Sequence, residues 1–324
     1  MLYPTFLKKK DTIGICAPSA GVGKKIPSYE KSLQQLQQHF SIMETKSVRV
    51  NNLRSNTAEI RAQELHEAFD NEKVKLVLCA SGGDFLFEIL PHVNFEKIAK
   101  NPKWLMGYSD PTSLLYTLTT KYDIATLYGC NGGSYDIHHP YLDNNLTIIQ
   151  GHLITQNAFT HYQKTEDFIN DINEFNGNVE WILSQEEIHT TGRCIGGCLE
   201  VLQNLFNTPY DGTLDFINKY QSDGIIWYFD VFNMSAETFY LTLLKMKYMN
   251  YFQHTKAIIV GRVCFENSDT GMTYVEALQK AITDIPFIMN ADIGHVSPKM
   301  TMINGAIMTL QAKNKKGNIT FTLE

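Results

Sequence analysis

The chain has 324 residues, of which 44% are hydrophobic and 19% charged, and its net charge is −6. That length suggests two domains, and that composition a soluble globular protein with a real core. The only basic block is Lys8-Lys9-Lys10, so a nucleic-acid surface is excluded as the main function. Residues 1–10 hold no apolar stretch ahead of their lysines, as a signal peptide would. No run approaches the roughly 18 apolar residues of a membrane span. The expectation is a cytoplasmic protein with no membrane partner. Six cysteines (Cys16, Cys79, Cys130, Cys194, Cys198 and Cys264) form no C-x-x-C pair and no zinc spacing. They read as reduced structural thiols. Cys194 and Cys198 lack further ligands nearby, and no metal or cofactor is expected.

In chain order, residues 11–19 read as a short buried strand ending in a Pro/Ser loop. Residues 22–40 carry helical spacing, with Tyr29, Leu33, Leu36 and Phe40 on one face. Residues 41–50 are a second strand candidate. Residues 58–71 place Ile60, Leu65 and Phe69 near one helical face, with charges opposite. Residues 74–80 are a third strand, running into Ser81-Gly82-Gly83, and 85–90 turn helical until Pro91 ends them. Residues 103–106 close a fourth strand, and 110–118 read as the helix after it. Strands and helices alternating at this length imply parallel βαβ units. In such sheets ligands sit beyond the carboxyl ends of the strands. Pro18-Ser19, Gly82-Gly83 and Ser109 all fall at such ends.

Residues 129–145 are polar and turn-rich, and Asp136, His138, His139 and Asp143 read there as a solvated loop rather than a metal set. Residues 164–178 are acidic and rich in Asn, a candidate crossing between domains. The division expected is an N-terminal domain at 1–163, a linker at 164–180 and a C-terminal domain at 181–324. In the second half, 191–200 form a glycine-rich turn feeding a helix at 199–206. A strand at 224–229 has Asp230 at its end. A helix at 236–248, a strand at 257–262 and another at 285–289 follow, the last leading to His295. Residues 305–310 and 319–323 read as closing strands. The fold class is α/β: a parallel-sheet N-terminal domain carrying Ser109 and a smaller, mixed β/α C-terminal domain.

The stretch Trp104-Leu105-Met106-Gly107-Tyr108-Ser109-Asp110-Pro111-Thr112 is the most informative. A serine on a strand–turn–helix corner can be held out as a nucleophile, with nearby N–H groups placed for an oxyanion. Pro111 suits a first helical turn and Asp110 its positive end. Serine is equally a helix N-cap, and the second glycine of G-x-S-x-G is absent. Gly82-Gly83 likewise reads either as an oxyanion contributor or as a plain turn. Ser109, Asp230 and His295 each follow an apolar run, in one known triad order. A loop histidine and a strand-end aspartate have ordinary structural roles as well, and spacing alone leaves both readings open.

Several blocks resemble the LD-carboxypeptidase family, which includes muramoyltetrapeptide carboxypeptidases and microcin C immunity peptidases. They are residues 14–19, Gly82-Gly83, 102–112, 192–199, 225–235, Gly261-Arg262 and 292–305. The most specific are Gly107-Tyr108-Ser109-Asp110 and the run from Asp292 through His295 to Thr301. The resemblance implies a two-domain serine peptidase with its active site at the domain interface. Ser109 would be the nucleophile and His295 the base, with an oxyanion hole from the N–H groups of Asp110 and of the Gly82-Gly83 turn. It also implies a homodimer that needs no metal. The substrate it implies is a small peptide or peptidyl-nucleotide: typically a murein tetrapeptide losing D-Ala in wall recycling, or an aminoacyl-nucleotide analogue in the microcin branch. Where the family usually has Glu, this chain has Asp230, whose carboxylate must be brought closer or bridged by water. Its Gly-Gly-Asn-Leu is here Gly196-Gly197-Cys198-Leu199. The Glu-to-Asp change also motivates a third alternative, a binding protein that kept the cleft without catalysis.

Overall fold

The computed structural model describes residues 1–324. The chain forms two compact units, one of Met1–Ile154 with Thr301–Gly305, the other of Thr155–Met300 with Ala306–Glu324. The first unit contains strands β1 (Thr12–Cys16), β2 (Ser41–Glu44), β3 (Val74–Cys79), β4 (Trp104–Gly107) and β5 (Thr126–Tyr128). Its helices are α1 (Ile26–Gln37), α2 (Ala58–Asp70), α3 (Phe95–Lys100), α4 (Thr112–Tyr122) and α5 (Pro140–Ile149). The second unit adds β6 (Gln156–Asn157), β7 (His161–Tyr162), β8 (Gly177–Asn178), β9 (Ile182–Leu183), β10 (Glu187–Cys198), β11 (Ile225–Asp230), β12 (Thr255–Gly261) and β13 (Phe287–Ala291). Its helices are α6 (Thr165–Ile169), α7 (Leu199–Leu205), α8 (Thr213–Lys219), α9 (Ala236–Tyr248) and α10 (Tyr274–Ala281). β14 (Met302–Asn304) returns to the first unit, and β15 (Ile307–Lys313) and β16 (Lys316–Thr322) complete the second.

The first sheet has the order β14-β5-β4-β3-β1-β2. Its strands run parallel except for β14, which pairs antiparallel with β5. Ile13, Ile15, Leu76, Val77, Leu78, Trp104, Leu105 and Met106 are fully buried, as parallel strands covered on both faces require. The order reverses direction between β1 and β3. The carboxyl ends of β1, β3 and β4 therefore gather at a topological switch point. Several expectations are corrected in this unit. Only 41–44 of the stretch 41–50 is strand; Lys46–Arg49 is a 3-10 turn, because the buried Glu64 carboxylate takes the Ser47 N–H (3.2 Å) and hydroxyl (2.9 Å). Pro91 lies inside a 3-10 turn, Leu86–His92, instead of ending a helix. The polar segment 129–145 contains the start of α5. Pro140 opens that helix, and the His139 ring accepts the Tyr141 N–H at 3.4 Å. Asp136 accepts from the Ser28 hydroxyl and His138 meets Gln35, so the polar groups of this loop tie it to α1.

The second unit is no smaller than the first, contrary to expectation. Its eight-stranded sheet has the order β6-β16-β15-β10-β11-β12-β13-β9. β10 to β13 are parallel neighbours, and the flanking pairs are antiparallel. Residues 164–180 lie inside this unit, where they form α6 and β8; the chain enters it already at Thr155. The glycine-rich stretch 191–198 is not a turn but the last eight of the 12 residues of β10. A Cβ on Gly196 would stand 1.8 Å from the Tyr228 carbonyl oxygen, and one on Gly192 2.9 Å from that of Gly224. These glycines allow β11 to approach closely, one of the few uses of glycine within a strand. No helix is long and apolar enough to cross a membrane. All six cysteines are buried and none forms a disulfide.

Candidate active site

Ser109, Asp110, Gly82 and Gly83 belong to the first unit, and Asp230 and His295 to the second. In the first, β4 ends at Gly107, where an added Cβ would meet Pro111 at 2.8 Å. The buried Asn131 brackets the next residue, accepting the Tyr108 N–H (3.1 Å) and donating to its carbonyl (3.4 Å). Ser109 then takes φ +70°. A non-glycine residue in this region costs on the order of 1–3 kcal/mol and persists only where its surroundings enforce it. The enforcement is visible. The Ser109 N–H donates to the Tyr128 hydroxyl at 3.1 Å, and its carbonyl accepts from the Thr112 N–H (2.9 Å) and hydroxyl (2.6 Å). α4 begins behind Pro111 without any side-chain cap, the alternative role considered for this serine.

Gly82 lies directly against the serine: a Cβ there would stand 3.0 Å from Ser109 Cβ and 3.2 Å from its Oγ. Gly83 has φ +152°, and an added Cβ would crowd the Ala20 N at 3.2 Å. The buried Asp110 carboxylate accepts from the Ser19 hydroxyl and from the Leu86 N–H at 2.8 Å. It ties the loop after β1 and the turn after β3 to the serine corner. Burial pushes the Asp110 carboxyl above its ordinary value, and these two hydrogen bonds oppose the shift.

In the second unit, Asp230 ends β11 fully buried, and His295 follows β13 in a loop, 7% exposed. His295 Nδ1 lies 2.8 Å from Asp230 Oδ2 and 3.0 Å from Oδ1, and its backbone N–H donates to Oδ1 at 3.2 Å. The shorter acid thus reaches the histidine directly. Gly294 makes this possible: with φ +97°, it presents no Cβ where one would fall 2.0 Å from Asp230 Oδ1. The Phe232 ring packs on the imidazole with centroids 4.5 Å apart, and Lys299 Nζ donates to the His295 carbonyl at 3.4 Å. Asp292 holds the base of the loop through an ion pair with Arg262 and through the Trp181 Nε1–H and Phe159 N–H, each at 3.1 Å. Asn131 and Tyr128 are supports that sequence reasoning did not single out. Gly294 and Asp292 lie in the run from Asp292 to Thr301 that it marked, but neither was given a role there.

A family model described as LD-carboxypeptidase N-terminal domain matches residues 13–129, and one described as LD-carboxypeptidase C-terminal domain matches 191–310. The putative carboxypeptidase YocD of Bacillus subtilis is 27% identical over 336 residues, covering 96% of both chains. The microcin C7 self-immunity protein MccF of Escherichia coli is 26% identical, over 82% of this chain and 80% of its own. The solved structure of wild-type MccF without ligand superposes with a TM-score of 0.83 over the whole of both chains at 23% identity. The enzyme is a serine-type carboxypeptidase, and the chain belongs to the LD-carboxypeptidase family.

Proposed function

We propose that this enzyme hydrolyses an amide between an L-centre and a terminal D-residue, releasing D-Ala from a murein tetrapeptide, with Ser109 as nucleophile, His295 as base and Asp230 as the acid that orients it. The observation that carries this reading is the 2.8 Å contact between His295 Nδ1 and Asp230 Oδ2. With Nδ1–H given to Asp230, Nε2 is the acceptor of the pair. It takes the Ser109 hydroxyl proton as Oγ adds to the substrate carbonyl carbon. The N–H groups of Asp110 and of the Gly82-Gly83 turn hold the resulting oxyanion. Collapse breaks the C–N bond, and His295 passes its proton to the leaving amine. Water then attacks the ester by the same roles and regenerates the serine. The scheme uses no metal or cofactor. The proposal extends, on the family resemblance, to a homodimer acting in cytoplasmic wall recycling.

A second reading has a specific motive, the relationship to a microcin C7 self-immunity protein over most of both chains. Under it the amide joins an aminoacyl group to a nucleotide analogue, and the chemistry is unchanged. The third alternative, a cleft without catalysis, rested on the shorter acid; the direct Asp230–His295 contact removes that support.

The test is hydrolysis by the purified protein of a murein tetrapeptide ending in D-Ala and of an aminoacyl sulfamoyl adenosine, with Ser109→Ala beside it. D-Ala release by the parent, reduced about 10⁴-fold or more in the variant, is expected. Hydrolysis of the nucleotide analogue alone would select the second reading. Undiminished turnover by Ser109→Ala would overturn the assignment of the nucleophile.

A further inference from the structure

The turn that follows Asp230 has every one of its polar backbone groups engaged from residue 232 to 234, and one side chain takes all three N–H groups. Phe232, Asn233 and Met234 donate to a single oxygen, Glu200 Oε1, at 2.8, 2.9 and 3.0 Å. The carbonyls face the other way. Val231 accepts from the Cys264 N–H (3.2 Å), Phe232 from the Phe265 N–H (2.8 Å), Asn233 from the Asn267 amide (3.0 Å) and Met234 from the Tyr274 hydroxyl (2.6 Å). Three N–H groups converging on one point form an anion-binding nest, here filled by the protein's own carboxylate. The other oxygen, Oε2, accepts from the Cys198 thiol at 3.3 Å.

This clamp is built next to the candidate acid. Cys198 and Asp230 are partners in the β10–β11 register, and Glu200 stands two residues beyond the first of them. The clamped turn carries Phe232, whose ring packs on His295. A shift of the turn therefore moves the acid at its start and the ring against the base together. The charged groups around this turn are Asp230, Lys299, Glu237 and Glu266, together with Glu200 itself. The contacts that Glu200 makes on the turn are hydrogen bonds from the turn's backbone, and these are the means by which it acts there.

We propose that Glu200 is a positioning residue for the hydrolysis: by gathering the N–H groups of residues 232–234 it sets Asp230 and Phe232 against His295. The inference rests on the reading that Asp230 and His295 act in the reaction. The experiment compares Glu200→Ala, Glu200→Asp and Glu200→Gln in the full chain by kcat and KM on whichever substrate is hydrolysed. The second readout, which needs no substrate, is the proton NMR signal of His295 Nδ1–H. In the Ala and Asp variants kcat should fall about tenfold to a hundredfold with KM within about twofold, as for misplacement of a reacting group. The Nδ1–H signal should move upfield as its bond to Asp230 loosens. Gln keeps the acceptor oxygen in place and should restore most of kcat and the signal. Should Ala fail to fold, Asp, which keeps the charge but withdraws the carboxylate by one methylene, carries the test. Folded variants with unchanged kcat and an unchanged Nδ1–H signal would overturn the proposal, even with a lowered melting temperature. Asp230→Asn run alongside separates the two failures. If it too leaves kcat unchanged, the role of the acid is wrong; if it alone lowers kcat, only the role of Glu200 is.

Discussion

Gly294 decides what an aspartate can do at position 230. A carboxylate one methylene shorter than glutamate touches the imidazole because the backbone before His295 comes close enough to it, and only a residue without Cβ leaves that space. Two outcomes follow. Gly294→Ala should lower kcat about a hundredfold by displacing the acid, and should lose about 1–3 kcal/mol of stability from its φ of +97°; steady-state kinetics and urea unfolding check each part. Asp230→Glu, although it restores the residue usual in the family, should lower kcat rather than raise it, since the added methylene has no room between β11 and residues 294–295. Higher activity in that variant, measured on the same substrate, would show the fit to be looser than the contacts imply. On the other side of the proposed chemistry, the left-handed Ser109 is held by groups from β5 and α4, through Tyr128 and Thr112.

Among the elements, α2 and β4 are joined by a buried amine. Lys103, just before β4, donates from Nζ to the Asn71 carbonyl at 2.6 Å and the Ala68 carbonyl at 3.4 Å, at the end of α2. Cations favour a helix C-terminus, yet burial lowers the Lys103 pKa to about 8. The folded value is then below that of the unfolded chain, about 10.4, so the unfolded chain binds the proton more tightly. The contribution of this group to stability is full above the unfolded value and is lost as pH falls through about 8. Unfolding midpoints in urea should therefore rise between pH 8 and 10.5 by an increment that Lys103→Met lacks. Equal slopes for both proteins would show that the amine is solvated. In the second sheet the corresponding join is steric, with Gly192 and Gly196 letting β10 lie against β11, the strand that ends at Asp230.

Taken whole, the molecule does not divide at one point of its chain. Met302, Ile303 and Asn304 leave the second unit to pair with Tyr128, Leu127 and Thr126 of β5. Tyr128 in turn receives the Ser109 N–H. A fragment of residues 1–154 lacks β14 and exposes the edge of β5, a template for pairing with other chains. It should aggregate or melt below the intact protein, as size-exclusion chromatography and thermal circular dichroism would show. A monomeric fragment melting with the intact chain would mean that β14 adds nothing to the first unit.

Local patterns carried much of this reading. The apolar runs at 76–79 and 104–106 sit between helical stretches and announce a parallel sheet, because strands covered on both faces are nearly continuous in apolar residues. The serine corner and the segment around His295 are contiguous motifs, so the amino-acid order alone marked them and the family they resemble. Other features are properties of approach rather than of order. Glycine reads alike in a turn and in a strand pressed against its neighbour, so 192–197 became β10 only once Tyr228 lay beside Gly196. The pairing of 302–304 with β5 joins segments far apart in the chain, which no local periodicity encodes. The reach of the Asp230 carboxylate was settled by the backbone facing it, since one methylene matters only against a fixed distance.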